Sequence, residues 1–321
     1  MIKNDYAFAV AVIRSKEKNL LTAEEFMKLA HADSFETAVS FLKSKNWAVD
    51  TGNASEIIKA QEKTLSDLIF QLVDDENELL LFTVLNDFFN IKAAIKGYFS
   101  NTEIKSLFRY PTSIDLEKLD KAVESHDFSL IDEKYRSCAK EAFEVANETK
   151  SGMNVEIILD CGALRLLREL IRKKENDLVF QASDFFIAAT DLKIGYRCSC
   201  FEKNLSFCRK ALGETTLFSS DELAKAASEG TQSFFEFVKK TPLSECVEIL
   251  KQSYSDFEIW VERHLLTQIK KSKFVFLGFD PIYTYYLAAR SEIKSVKLIL
   301  SAKENGISSE TVKERVSALY E

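Results

Sequence analysis

Chain breakers are scarce: only three prolines and nine glycines occur in 321 residues. With Leu, Ala, Lys and Glu abundant, that scarcity excludes a turn-rich sandwich or barrel and predicts a mostly α protein of long helices. No glycine is followed by lysine and no GxGxxG occurs, which removes the glycine-rich backbone a nucleotide phosphate needs. A concentrated basic face is also missing, and the net charge of −7 argues against general affinity for nucleic acid. No window approaches the roughly 18 uncharged apolar residues of a membrane-spanning helix. The opening MIKNDYAFAVAVIRSKEK has neither the apolar core nor the cleavage site of a signal peptide. A soluble, intracellular chain is expected, one that can still lie against a membrane protein. The three histidines, His31, His126 and His264, stand far apart, form no HExxH and accompany no triad motif. Six scattered cysteines, at 138, 161, 198, 200, 208 and 246, lack the dense spacing of a disulfide-stapled domain, so reduced, buried thiols are expected.

What is present is a repeat. At this length two or three domains are expected, and one amphipathic helix pattern occurs three times. Around Asp87 the apolar stripe is Leu81, Val84, Phe88 and Ile91; around Asp191 it is Phe185, Ala188, Leu192 and Gly195; around Glu292 it is Tyr286, Ala289, Ile293 and Val296. Each stripe sits at −6, −3, +1 and +4 from its acid, the spacing of one helix face. The acids are 104 and 101 residues apart. Thr22-Ala-Glu-Glu25 and Ser219-Ser-Asp-Glu222 both read as capping boxes, and their separation of 197 residues is nearly two periods. Pro111-Thr112-Ser113-Ile114-Asp115 opens the corresponding place in the middle copy. The repeats divide the chain at 1–107, 108–213 and 214–321.

Within the first repeat, 22–44 is predicted to hold two short helices broken near Asp33-Ser34, followed by helices over 54–73 and 77–99. The third repeat is predicted to contain helices over 219–229 and 231–240, a long run from Thr241-Pro242 to about Lys271, and a helix over 281–303. Asp280-Pro281 reads as an N-cap acid followed by the imino acid whose missing N–H costs nothing there. Ser308-Ser-Glu310 is expected to start a short last helix. Helices of about 20 residues are rods roughly 30 Å long.

The sharpest enzymatic candidate is Asp74-Asp75-Glu76-Asn77-Glu78, because all-α isoprenoid synthases hold magnesium and a diphosphate with a DDxxE cluster at a helix end. The same residues are accounted for by an interhelical turn in which Asp75 or Asp74 caps the next helix and Glu78 completes the box. The nearest second acidic motif, Asn86-Asp87-Phe-Phe-Asn90, lacks the hydroxyl and the downstream Glu, so the turn is the preferred reading. Cys198-Ser-Cys200 with Cys208 lacks a fourth ligand and a CxxC knuckle; core thiols are expected. Aromatic pairs such as Phe88-Phe89 and Phe185-Phe186, and Tyr283-Thr-Tyr285-Tyr286, lie on or beside the stripes without the basic groove of a base-stacking platform. Arg172-Lys173-Lys174 and Lys270-Lys271-Ser-Lys273 read first as cations at helix C-termini, and second as contacts for an acidic partner. Neither a catalytic, a cofactor nor a metal site is assigned.

Two segments resemble the C subunit of V/A-type rotary ATPases, whose eukaryotic counterpart is the d subunit. One is Tyr6-Ala-Phe8 through Arg14-Ser-Lys-Glu17-Lys-Asn-Leu20-Leu21-Thr22. The other is Leu277-Gly278-Phe279-Asp280-Pro281 with Tyr286-Leu287-Ala288, Glu292 through Leu300, and Lys303-Glu-Asn305-Gly306-Ile307. The family tends to place Asn three residues after the helix acid, as Asn90 follows Asp87; Ile194 and Ser295 stand there in the other copies. The resemblance implies an all-α fold of three pseudo-threefold-related helical bundles forming a funnel. It also implies a non-catalytic, cofactor-free adaptor between the central stalk and the membrane proteolipid ring, peripheral on the cytoplasmic face, which couples rotation to ion transport or ATP synthesis. A helical-repeat scaffold for other partners, and an all-α magnesium enzyme using Asp74 and Asp75, are the alternatives.

Overall fold

The computed structural model describes residues 6–47, 52–104, 107–149, 152–174, 177–307 and 312. It is all-α, with no β-strand among the described residues. In chain order the helices are α1 (Ala7–Glu17), α2 (Ala23–His31), α3 (Phe35–Ser44), α4 (Ala54–Leu72), α5 (Glu76–Ser100), α6 (Leu116–Ser125), α7 (Glu133–Thr149) and α8 (Gly152–Ile171). They continue with α9 (Leu178–Cys200), α10 (Leu205–Ala211), α11 (Ser220–Glu229), α12 (Thr231–Val238), α13 (Cys246–Gln252), α14 (Tyr254–Lys271) and α15 (Asp280–Glu304).

The helix starts follow from local chemistry. At Thr22 the full capping box forms, with the Glu25 N–H donating to Thr22 Oγ1 and the Thr22 N–H to Glu25 Oε2 at 2.9 Å. Asn53 makes the same box at α4, and the Ser34, Asp75 and Asp115 side chains cap α3, α5 and α6 by accepting main-chain N–H groups. At Ser219 only the hydroxyl arm of the predicted box is made, to the Glu222 N–H. The predicted run from Thr241 to Lys271 is broken, because Ser253 takes an extended backbone and caps α14 through the Asp256 N–H; its hydroxyl competes with continued helix for that donor. Asp280 does not cap α15, which starts from Phe279 with Asp280 inside its first turn. The Asp280 carboxylate instead accepts from the Leu178 and Val179 N–H groups, both at 3.3 Å, capping the start of α9 from a distance. The helix expected from Ser308 starts outside the described residues.

The chain forms two compact units. One comprises residues 1–74, 177–179 and 249–321, the other 75–176 and 180–248. In the first, α15 is the central rod and packs against α1, α2, α3, α4 and α14, burying Ile13, Phe26, Leu29, Leu42, Ile69, Tyr286, Val296 and Ile299. In the second, α8 lies against α5, α7 and α10, and α11 packs on α10 and α12. Gly162 of α8 makes the α5 approach possible, because a Cβ there would meet the Phe88 ring at 2.6 Å and Cys138 Sγ at 2.9 Å. All three predicted stripes are buried, so the 3-and-4 spacing located the core faces of α5, α9 and α15.

Candidate functional site: buried acids and a pinned loop

Asp87, Asp191 and Glu292 are themselves buried, one in each long helix. Burying a carboxylate is costly unless hydrogen bonds replace its hydration, and each acid meets that cost differently. Asp87 receives four donors: Thr112 Oγ1 at 2.5 Å, the Ser113 N–H at 2.9 Å, Ser113 Oγ at 2.8 Å and Tyr135 Oη at 2.7 Å. Asn86 and Asn90 support the same segment, donating to the Pro111 and Arg109 carbonyls, and the Arg109 N–H returns a bond to Asn90. Burial, then the Asp87 charge, pushes the Tyr135 phenol well above its usual range, so it remains a donor.

Asp191 has less. Its Oδ1 accepts from the Gly213 N–H at 2.8 Å, while its buried Oδ2 has no hydrogen-bond partner among the described residues. Burial, reinforced by the nearby Asp184 charge, pushes this carboxyl up to about 7, against the pull of the Gly213 N–H. Asp184, one residue before the start of the same stripe, accepts from Arg168 at 3.3 Å and from the Thr216 hydroxyl at 2.5 Å. The Cys161 thiol donates to the Lys210 carbonyl at 2.8 Å, fixing the chain just ahead of Gly213; burial pushes that thiol up to about 12.

Glu292 accepts from the Leu21 N–H at 2.6 Å and from Trp47 Nε1 at 3.2 Å. Burial pushes it up to about 7, opposed by those donors and aided by the Glu25 charge.

The three contacts share one logic. Each acid grips a main-chain N–H in the segment leading into a capped helix: Ser113 before α6, Gly213 before α11, and Leu21 before α2. For Asp87 and Asp191 that segment follows the long helix in sequence. For Glu292 it lies 271 positions earlier, near the other end of the chain. The stripe phase identified the acids but not their donors; the polar Thr112-Ser113 pair was the available signal, and Leu21 and Gly213 carry none because a main-chain N–H has no sequence signature.

The two segments that resemble the family meet within the first unit. Arg14 Nη2 donates to the Ser272 and Val275 carbonyls at 2.7 and 2.6 Å, while Nη1 reaches Glu17 at 2.7 Å. The Tyr6 ring lies 5.9 Å from Phe279. Helix α1 thus pins both ends of the loop between α14 and α15.

The other candidates resolve as follows. Asp74, Asp75 and Glu76 are exposed; Asp75 caps α5 through the Asn77 and Glu78 N–H groups at 2.9 and 3.0 Å, and Glu78 reaches Lys174 at 2.8 Å. No group of three or more His, Cys, Asp or Glu is placed to hold a metal among the described residues. All six thiols are free, with Cys161, Cys198, Cys208 and Cys246 buried, Cys138 half-buried and Cys200 exposed; the expectation of burial fails at Cys200, which sits two residues from Cys198 and so on another helix face. Phe88, Phe185 and the three tyrosines of α15's first turns are buried. No helix among the described residues is long and apolar enough to cross a membrane.

Residues 9–315 match the family described as ATP synthase (C/AC39) subunit. The chain is 20% identical to the C subunit of the V-type sodium ATPase of Enterococcus hirae, across 97% of each chain. It is 25% identical to the C subunit of the A-type ATP synthase of Methanocaldococcus jannaschii, across 98% of this chain and 86% of that one. The chain belongs to the ATP synthase (C/AC39) subunit family, that of the V/A-type ATPase C subunits.

Proposed function

We propose that this chain is a non-catalytic rotor adaptor, joining the central stalk to the membrane proteolipid ring of a V/A-type ATPase and coupling ATP turnover to ion transport or ATP synthesis. The observation that carries this reading is the family match across 9–315, with two relatives named as the C subunits of rotary enzymes. The three buried acids, each beside a buried stripe of the same phase in a long helix, support the partition into repeats 1–107, 108–213 and 214–321 about a pseudo-threefold axis, with a funnel as the resulting shape. A part that transmits twist must resist bending, and close-packed helical interiors have low compressibility. In this reading Asp74 and Asp75 belong to a turn and bind no magnesium, and the protein is held peripherally on the cytoplasmic face through the ring.

The test is reconstitution of the complete enzyme with and without this chain, measuring hydrolysis and ion transport together. Omission should leave hydrolysis by the soluble head partly intact while transport is lost. Transport at full coupling without the chain would overturn the adaptor reading. Purification with neither stalk nor proteolipid subunits would favour a scaffold for other partners.

A further inference from the structure

The segment from Lys270, in the last turn of α14, to Gly278 presents large apolar side chains to solvent instead of tucking them inward. Phe274 is 81% exposed, Phe276 72% and Leu277 62%. Lys270, Lys271 and Lys273 are exposed beside them. This is not a slack segment. Arg14 bonds the Ser272 and Val275 carbonyls, the Val275 N–H bonds Ser272 O at 2.9 Å, and the buried Phe279 ring lies against Tyr6. Phe8, on the helix that does the pinning, is 78% exposed. The nearest acid on that helix contacting the clasp, Glu17, is engaged by Arg14 at 2.7 and 2.8 Å. A part-buried arginine therefore fixes the backbone of a segment that carries three exposed large apolar groups and three exposed lysines, and a large exposed apolar patch marks an interaction site.

The residue types select the partner. Protein interfaces are depleted in Lys, and their energetic anchors are mostly Trp, Tyr and Arg and rarely Leu. Here the cations are all lysine, the aromatics are all Phe, and a Leu completes the set. Lysine heads with Phe and Leu bodies are the composition of a surface that settles into the headgroup boundary of an anionic bilayer. We propose that the Lys270–Gly278 segment docks on an anionic lipid surface. This goes beyond the rotor reading and does not rest on it: co-purification with stalk and ring subunits tests that reading, whereas lipid partition tests this one.

The experiment is co-sedimentation of the full chain with vesicles of phosphatidylcholine alone and of phosphatidylcholine mixed equally with phosphatidylserine. Partition is expected only on the mixed vesicles and should weaken with added salt. Each lysine contributes about fivefold near such a surface, so Lys270→Gln/Lys271→Gln/Lys273→Gln should lower partition by well over tenfold. Phe274→Ser/Phe276→Ser/Leu277→Ser should abolish it, with thermal melts unchanged because these side chains are exposed; Phe276→Ser alone serves if the triple variant fails to fold. No partition on mixed vesicles, or partition unmoved by these changes, overturns the proposal. Loss of assembly with the stalk and ring in the apolar variant while lipid partition is retained would mean a protein partner, and would also overturn it.

Discussion

Glu292 accepts a hydrogen bond from the main-chain N–H of Leu21, 271 positions earlier in the chain and 2.6 Å away. The contact ties the entrance of α2 to the middle of α15, so its protonation state bears directly on the stability of the first unit. Burial raises the folded value from the usual 4.5 to about 7, and Glu25, held low first by its hydrogen bond from Lys45, stays charged across that window. Between those two values the native state binds more protons than the unfolded chain, so stability falls as pH rises from about 4.5 through about 7 and then levels off. The size is on the order of 3 kcal/mol. Urea unfolding at pH 5 and pH 8 reads it together with the Asp191 contribution, and Glu292→Gln should reduce the difference while costing about 1 to 3 kcal/mol at pH 5, since one of its two donors then faces an amide N–H. A variant with the same pH slope as the native chain would place the titration elsewhere.

Asp191 differs in a way that reverses the outcome of the equivalent substitution. With one donor on Oδ1 and none among the described residues on Oδ2, the site suits a neutral group, and burial pushes the carboxyl up to about 7. Asn reproduces the protonated acid in shape and keeps the acceptor for Gly213. Asp191→Asn should therefore leave stability at pH 5 nearly unchanged and raise it at pH 8, where the native chain carries the cost of an ionised buried acid. Chemical denaturation at the two pH values decides it; destabilisation at pH 8 would mean that the charged form is the one the fold needs.

The apolar periodicity located α5, α9 and α15 and their core faces, because burial of one stripe is a local property of spacing. The caps at Thr22 and Asp75 were equally legible, since a hydroxyl or carboxylate meets N–H groups two or three residues on. What was hidden was long-range. Asp280 looked like the cap of its own helix and serves α9 instead. Arg14 could be marked as part of a family-like opening, but its acceptors are the carbonyls of Ser272 and Val275, which every residue possesses. Ser253, a single hydroxyl within an amphipathic run, breaks that run where the periodicity alone continues.

Packing and capping predict different scales of damage around α5 and α8. Phe88 is buried against Tyr135, ring centroids 5.5 Å apart, and Phe88→Ala should cost about 3 to 5 kcal/mol. Gly162→Ala adds a methyl where that ring and Cys138 already stand, and overpacking of this kind costs about 1 to 3 kcal/mol. By contrast Asp75→Ala should cost about 1 kcal/mol through the lost cap, and the exposed Asp74→Ala within about 0.5 kcal/mol of nothing. Thermal melts rank the four, and magnesium titration of the native chain should give no saturable binding. One-to-one binding abolished by Asp75→Ala would restore the enzymatic alternative.

Arg14 offers the sharpest test of how α1 governs the α14–α15 loop. Its guanidinium serves two carbonyls with one nitrogen and the Glu17 carboxylate with the other, a planar fork that lysine's single ammonium cannot reproduce. Hydrogen bonds to charged groups contribute about 1.5 to 3 kcal/mol each, but Arg14 is partly solvated, so the lower end is the fitting scale and Arg14→Ala should cost about 2 kcal/mol. The loss should be local, because α4 and α15 pack through contacts that do not involve this residue. Limited proteolysis should accordingly open the segment around Lys273 before the unit melts, and Arg14→Lys should resemble Arg14→Ala more than the native chain. Equal protease resistance in native and Arg14→Lys proteins would mean that charge near the carbonyls suffices and that the fork geometry is dispensable; equal resistance in Arg14→Ala as well would mean that the Tyr6–Phe279 contact alone holds the loop.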